Sequence, residues 1–301
     1  MGCSMKIGLI DVDSHNFPNL ALMKISAWHK AQGDDVEWWF GFHQYDRVYK
    51  SKVFDNTYSA DVYDPVNTTE IIKGCTGYGL DNNLPYEIEH MYPDYSLYPE
   101  LTYDTAYGFL SRGCPRGCPF CIVKDKEGRK TYKVADLSEW WNGQKNIVLC
   151  DPNLLACREH MDLLGQLADS KAWVDVNQGF DARMLTKENI EAIKRIKLKD
   201  IHFAWDLMEQ SEAVLKGLNL WKTHGKKAAH GTWGTVYVLV NYNTTMEENL
   251  YRIYTLRDMK YDPFVMVYDK PNAPREIIKL QRWCNNKRIF KKCPRFEDYK
   301  G

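Results

Sequence analysis

Three cysteines stand close together in the stretch from Gly108 to Val123, GFLSRGCPRGCPFCIV. Cys114, Cys118 and Cys121 form a C-x3-C-x2-C array directly after a short apolar run. Thiolates at such spacing suit a soft metal centre. A structural zinc site takes four ligands, usually in two pairs, and an ordinary cubane cluster takes four cysteines. Three ligands leave one metal position open to a group that is not protein. Gly113 and Gly117 let the backbone wrap tightly, while Pro115 and Pro119 stiffen it. Arg112 and Arg116 set positive charge beside the thiols, which favours the ionised, metal-binding form. The plainer alternatives are a loop of free thiols or half a zinc site completed from afar. Glycines and prolines interleaved among three such close cysteines argue against both.

The chain has 301 residues, which suits one large domain or one large and one small. Its hydrophobic content of 44% is enough for a substantial core, and aromatics reach 13%, enough for some rings to line a pocket. Lys plus Arg equals Asp plus Glu at 40 each, so no overall charge argues for a nucleic-acid partner. No apolar run reaches the length of a membrane span. The start, MGCSMKIGLI, lacks the apolar region and cleavage site of a signal peptide. Met-Gly-Cys-Ser hints at lipidation, but Met5 reads as an older start and the stretch runs straight into a strand. Nine cysteines without an export signal fit a reducing cytoplasm.

Positioning the cysteines requires a scaffold. Lys6 to Val12 reads as a strand, Asn19 to Gln32 as an amphipathic helix, and Asp35–Trp39, Asp46–Phe54 and Glu70–Lys73 as further strands. That is the beginning of a small, trimmed Rossmann-like α/β domain over residues 1–80. A tyrosine- and proline-rich connector follows over 81–103, in which Glu87, Glu89 and His90 read as a solvated helical turn. Strand-like runs then recur at Ala106–Leu110, Asn146–Cys150, Ala172–Val176, Ile201–Trp205, Thr235–Val240 and Pro263–Tyr268. Helical stretches alternate with them at Leu137–Asn142, Cys157–Ser170, Thr186–Ile196, Gln210–His224 and Thr245–Asp258. Apolar strands alternating with amphipathic helices predict a parallel sheet covered on its outer face. Six such units are too few to close an eight-stranded barrel. Residues 271–301 supply a further helix, Arg275 to Lys287, and a tail.

With Phe120 directly before the last cysteine, the array resembles the signature of the radical S-adenosylmethionine (SAM) superfamily. The resemblance implies a [4Fe–4S] cluster held by Cys114, Cys118 and Cys121, its unique iron chelated by the amino and carboxylate groups of SAM. It also implies an open (β/α)6 partial TIM barrel over 104–270, strongest at the cysteines and covering about Tyr103 to Tyr268. The N-terminal piece resembles the cobalamin-binding domain fused to one branch of these enzymes. That family's loop is D-x-H-x-x-G, whereas Asp13 to Pro18 reads D-x-H-x-x-P. His15 is thus a weak candidate for cobalt. The reading in which His15 and Asn16 simply open the following helix is preferred, and cobalamin is not expected.

Barrel chemistry sits at the C-terminal ends of the strands. Asp151 follows the second strand, where family members usually hold the methionine amino group. Gln178, Asp181 and Arg183 follow the third, Asp206 the fourth and Asn241 the fifth. Arg183 suits the SAM carboxylate as a bidentate clamp, Gln178 and Asp181 suit ribose or substrate, and Phe120 can bring its backbone near adenine. End-of-strand caps or loop hydrogen bonds are the plain reading of each. No catalytic residue is assigned. Cys150, Cys157, Cys284 and Cys293 read as buried small hydrophobes or surface thiols, and Cys3 and Cys75 receive no role.

The resemblance implies an enzyme that takes a low-potential electron from a donor such as flavodoxin or ferredoxin. It cleaves SAM reductively, and the 5′-deoxyadenosyl radical abstracts hydrogen from a small-molecule or macromolecular substrate. Methyl transfer, methylthiolation and rearrangement are all open as outcomes. The alternative is a non-catalytic iron–sulfur protein acting as a redox sensor or interaction module. The polar set at the strand ends favours catalysis.

Overall fold

The protein is described here by a computed structural model over residues 4–228 and 231–301. Met1, Gly2 and Cys3, on which the lipidation reading rests, lie outside the described residues. The first region is a parallel sheet of β1 (Lys6–Asp11), β2 (Asp35–Trp38), β3 (Tyr45–Ser51) and β4 (Thr68–Gly74), in the order β2-β1-β3-β4. Helix α1 (Leu20–Ala31) links the first two strands. It starts where the Asn19 side chain accepts the Leu22 N–H at 3.2 Å. Ile7 and Leu9 alternate along β1 onto one face, where they join Leu22, Ile25, Tyr49 and Ile88 in a small core.

The connector holds two single-turn helices, α2 (Tyr86–Glu89) and α3 (Pro99–Thr102). The expectation of a solvated turn is corrected here. Glu87 is exposed, but Glu89 pairs with Lys24 at 3.0 Å and with Arg112 at 3.4 Å, and His90 Nδ1 lies 2.6 Å from Glu139. These half-buried contacts bolt α1 to the cysteine loop.

The second region starts with β5 (Thr105–Gly108). The hairpin of β6 (Ser111–Arg112) and β7 (Tyr132–Lys133) then encloses α4 (Val123–Lys126) and the cysteines. There follow β8 (Asn146–Leu149), α5 (His160–Asp169), β9 (Trp173–Val176), α6 (Lys187–Arg195) and β10 (Lys197–Leu198). Next come β11 (His202–Ala204), α7 (Ser211–His224), β12 (Thr235–Val240), α8 (Met246–Asp258) and β13 (Asp262–Val267). These strands make two parallel sheets, β10-β9-β8-β5 and β11-β12-β13. The strand expected over Ile201–Trp205 is shorter than its apolar run. β10 pairs only with β9, and three residues later β11 pairs only with β12. The Phe180 N–H donates to the His202 carbonyl at 2.8 Å across this break.

Alternation along these strands decides the two faces. Ile147, Leu149, Val174, Val176, Phe203, Val236, Val238 and Val265 pack outward against Leu163, Leu167, Ile190, Ile193, Leu218, Trp221, Ile253 and Leu256 of the helices. Tyr107, Val148, Asp175, His202, Ala204, Tyr237 and Phe264 occupy the alternate positions, on the opposite face. The last helix expected, Arg275 to Lys287, is broken. Helix α9 (Arg275–Asn285) stops, and Asn286 caps α10 (Lys287–Lys292) by accepting the Arg288 and Ile289 N–H groups. The tail folds back, bringing Phe296 to 5.5 Å from the Trp283 ring. Among the described residues no helix is long and apolar enough to cross a membrane.

Candidate functional site

A cavity of about 470 Å³ opens at the C-terminal ends of β5, β8, β9 and β11, and its wall includes Cys114, Cys118 and Cys121. The loop reaches this place through a strained but well-supported turn. Gly113 has φ +80°, and a Cβ there would come within 2.0 Å of the Lys130 carbonyl oxygen, so only glycine fits. Its N–H donates to Glu127 Oε2 at 3.0 Å, and Glu127 also accepts from Arg112. Arg112 is therefore turned to Glu127, Glu89 and the Phe109 ring, 3.9 Å away, instead of facing the thiols. The positive charge beside Cys118 comes from Arg183. Burial pushes the Cys118 thiol up, and the Arg183 charge opposes that. Burial likewise raises the Cys121 thiol.

The turn after β9 carries the densest polar group. Gly179 sits at φ +75°, where a Cβ would meet the His202 carbonyl oxygen at 2.7 Å. This glycine lets the turn press against β11. Asp181 accepts from Arg183 Nε at 2.6 Å and Nη2 at 3.0 Å, a bidentate pair, and from Arg116 Nε at 2.7 Å. Burial acts to raise the Asp181 carboxyl, but the two guanidinium groups outweigh it and hold it below the usual value. Arg183 also donates through Nη1 to Gln210. Three of its five donors are thus taken within the protein, which leaves one on each terminal nitrogen for a ligand.

Asn153 ties this cluster to the cysteines. Its amide nitrogen lies 3.6 Å from Cys114 Sγ and 3.2 Å from Asp181 Oδ2. Its buried Oδ1 has no partner. Asn153 stands two residues after Asp151, and nothing in residue type alone separates the two. Asp206 lines the same cavity. Burial pushes its carboxyl up to about 6 against the opposing charges of Arg252 and Arg183. Arg252, fully buried on α8, donates to the carbonyls of Trp205, Asp206 and Leu239, each at 2.8 Å. It locks the end of β11 to β12 and so sets where Asp206 stands. A lone arginine in an amphipathic helix gave no sign of this.

The structure therefore brings Cys114, Cys118, Cys121, Phe120, Gln178, Asp181, Arg183 and Asp206 to one cavity. Phe120 also meets the Tyr242 ring at 5.3 Å. Asp151 and Asn241 do not line it. Asp151 is buried and accepts from the Leu110 N–H at 2.8 Å, the Ser111 N–H at 2.6 Å and the Ser111 hydroxyl at 2.5 Å. Burial raises its carboxyl to about 7 despite those donors. It anchors the start of the cysteine hairpin. Asn241, at φ +64°, donates to the Tyr268 carbonyl at 2.8 Å and closes a turn. His15 is exposed in the turn before α1, at φ +24°. Its neighbour Asp13 is buried and accepts the N–H groups of Val53 and Phe54.

Of the other cysteines, Cys150 lines the cavity, its thiol pushed up to about 12 by burial. Cys157 and Cys284 are buried, and Cys293 and Cys75 are half-buried. Comparison with protein-family models and with curated proteins finds no match for this chain.

The chemistry of the donors fits an iron–sulfur cluster. Three soft thiols share one cavity wall, with an amide donor on one sulfur and a guanidinium beside another. Among the described residues no three His, Cys, Asp or Glu side chains stand close enough together to hold a metal ion. The fit thus rests on donor type and shared cavity, not on a preformed ligand set.

Proposed function

We propose that this chain is a radical SAM enzyme, with Cys114, Cys118 and Cys121 holding a [4Fe–4S] cluster. The reading rests on one observation: the three cysteines share a cavity with Gln178, Asp181, Arg183 and Asp206, polar groups that the ends of β9 and β11 contribute. We also propose that the two parallel sheets of the second region act together as an open (β/α)6 barrel around that cavity. Together, cluster and SAM would supply a low-potential electron to a carbon–sulfur bond and a 5′-deoxyadenosyl radical, fed by a donor such as flavodoxin or ferredoxin in the cytoplasm.

The chain's own residues do the positioning. Arg183, oriented by Asp181 and Gln210, offers its two remaining donors to a carboxylate. Asn153 donates to the Cys114 sulfur at 3.6 Å and fixes where it stands. Gln178 offers an amide to ribose hydroxyls. Asp206, held by Arg252, presents a carboxyl whose proton is exchangeable near neutral pH.

Anaerobically purified protein should carry about four iron and four sulfide per chain. Cys114→Ala, Cys118→Ala or Cys121→Ala should each remove the iron, and Cys284→Ala should not. The reduced protein should slowly cleave SAM to 5′-deoxyadenosine and methionine without substrate. Stoichiometric zinc without sulfide would refute the reading. An intact, reducible cluster that neither binds nor cleaves SAM would put the sensor reading ahead.

A further inference from the structure

Below the cavity, the face of the two sheets opposite the helices carries a second group of side chains that the site above does not use. Tyr107 and Val148 are buried, with the Tyr107 ring against Phe17 and its hydroxyl donating to the Leu101 carbonyl at 3.3 Å, while Asp175, His202, Ala204, Tyr237 and Phe264 are half-buried. Tyr107, Val148 and Asp175 are register partners across β5, β8 and β9, and so lie in one row. Ala204, Tyr237 and Phe264 form the matching row across β11, β12 and β13. The Tyr237 ring stands 5.4 Å from the His202 ring and 5.8 Å from the Phe264 ring. Asp175 joins the rows: burial raises both phenols, and the Asp175 charge acts on Tyr107 and on Tyr237 alike. Both rows lead into the cavity. Phe109 and Cys150, two residues beyond Tyr107 and Val148 on the same face, line its wall, as does Ala204 itself.

Two features mark the half-buried part of this face as a binding surface. Asp175 is half-buried yet has no hydrogen-bond or ion-pair partner among the described residues. His202 Nδ1 is buried and also without a partner, while its Nε2 is 3.6 Å from Asp200. A partly desolvated carboxylate whose charge reaches two phenol rings suits an organic cation, which gains from the charge and from the ring quadrupoles together. An anion or a wholly apolar ligand would leave Asp175 buried and uncompensated.

We infer that the substrate of the proposed radical SAM site is an organic cation, carrying an ammonium or guanidinium group that docks between Asp175, Tyr107 and Tyr237. This rests on that reading for the word substrate; the binding itself does not. Docked there, the cation's carbon chain points up past Ala204 toward the cysteine cavity.

Equilibrium dialysis of the full chain, purified anaerobically, tests it with three probes: choline, agmatine and dimethylbutanol, the uncharged carbon isostere of choline. At least one cationic probe should bind about tenfold or more tightly than dimethylbutanol, the size of one desolvated cation–ring and charge contact. Asp175→Asn, nearly identical in shape, should bring that probe to the level of the neutral one without changing the melting temperature. Tyr237→Leu should weaken it severalfold. Equal binding of charged and neutral probes overturns the inference, as does unchanged cation binding in Asp175→Asn. Loss of binding in Asp206→Asn with Asp175→Asn unaffected also overturns it, because the cation would then sit in the upper cavity. The result is separable from the enzyme reading: a protein that fails to cleave SAM can still discriminate these probes, and one that cleaves SAM can fail to.

Discussion

Polar residues crowd the C-terminal ends of the parallel strands in both regions of this molecule, with opposite consequences. At the end of β1, Asp11 accepts from the Tyr98 hydroxyl at 2.6 Å and from the Ser14 N–H at 3.0 Å, while Asp13 is buried on the backbone that follows β3. Those carboxylates are satisfied internally and hold the sheet to its loops and to the connector. At the ends of β9 and β11, Asp181, Arg183 and Asp206 keep polar surface on a cavity shared with three thiols. Asp151 shows that the division does not follow the regions strictly. It sits at a strand end of the second region but behaves like Asp13, satisfying backbone donors out of contact with the cavity. A polar residue at a strand end is thus ambiguous until its neighbours' unsatisfied N–H groups are counted.

Breaking the structural carboxylates should have the largest effect. Asp151→Ala leaves two N–H groups and a hydroxyl buried without an acceptor, and is expected to cost roughly 3–5 kcal/mol of stability. Asp13→Ala strands two N–H groups and should cost roughly 2–4 kcal/mol. Urea unfolding measures both. A loss under about 1 kcal/mol in either would show that the backbone finds water instead.

Asp206 sharpens the contrast through pH. Its folded value, about 6, lies above the ordinary carboxylate value. Ionised Asp206 therefore opposes folding in full above about pH 6, and the opposition fades as pH falls toward about 4. Asp206→Asn should stabilise the protein at neutral pH, by roughly 3 kcal/mol at most, and the gain should vanish near pH 4. Thermal melts of both proteins across that window decide it, and a pH-independent difference would contradict the assignment.

Smaller effects follow. Arg183→Ala should weaken SAM binding by roughly 1–2 kcal/mol, less than a fully free bidentate clamp, because most of its donors already serve Asp181 and Gln210. Its iron content should stay unchanged. The smallest is His15→Ala, expected to change stability by less than about 0.5 kcal/mol, as for an exposed turn residue, and to leave SAM cleavage unaltered. Retention of a corrin by the purified protein, lost on His15→Ala, would reverse that view of the N-terminal region.

Local pattern alone determined the order of elements. Alternating apolar strands and amphipathic helices predict the parallel pairing, and most element boundaries fall within a few residues of expectation because burial of one helix face and of both strand faces writes that periodicity into the chain. The cysteine spacing and its glycines were equally legible, since Gly113 meets a backbone carbonyl that no side chain could share. Only the tertiary structure decided the rest. It held the fourth expected strand to β11, inside Ile201–Trp205, and placed the short β10 before it in the other sheet. It turned Asp151 inward and left Asp206 on the cavity, although both are aspartates at strand ends. It set Arg252, Asn153 and Gln210 around the cavity's polar groups from distant segments, and it left the Asp175 side chain without a hydrogen-bond or ion-pair partner among the described residues. Each of these depends on which donors, acceptors and charges from remote parts of the chain arrive within hydrogen-bonding distance, and that distance has no counterpart in residue type or spacing.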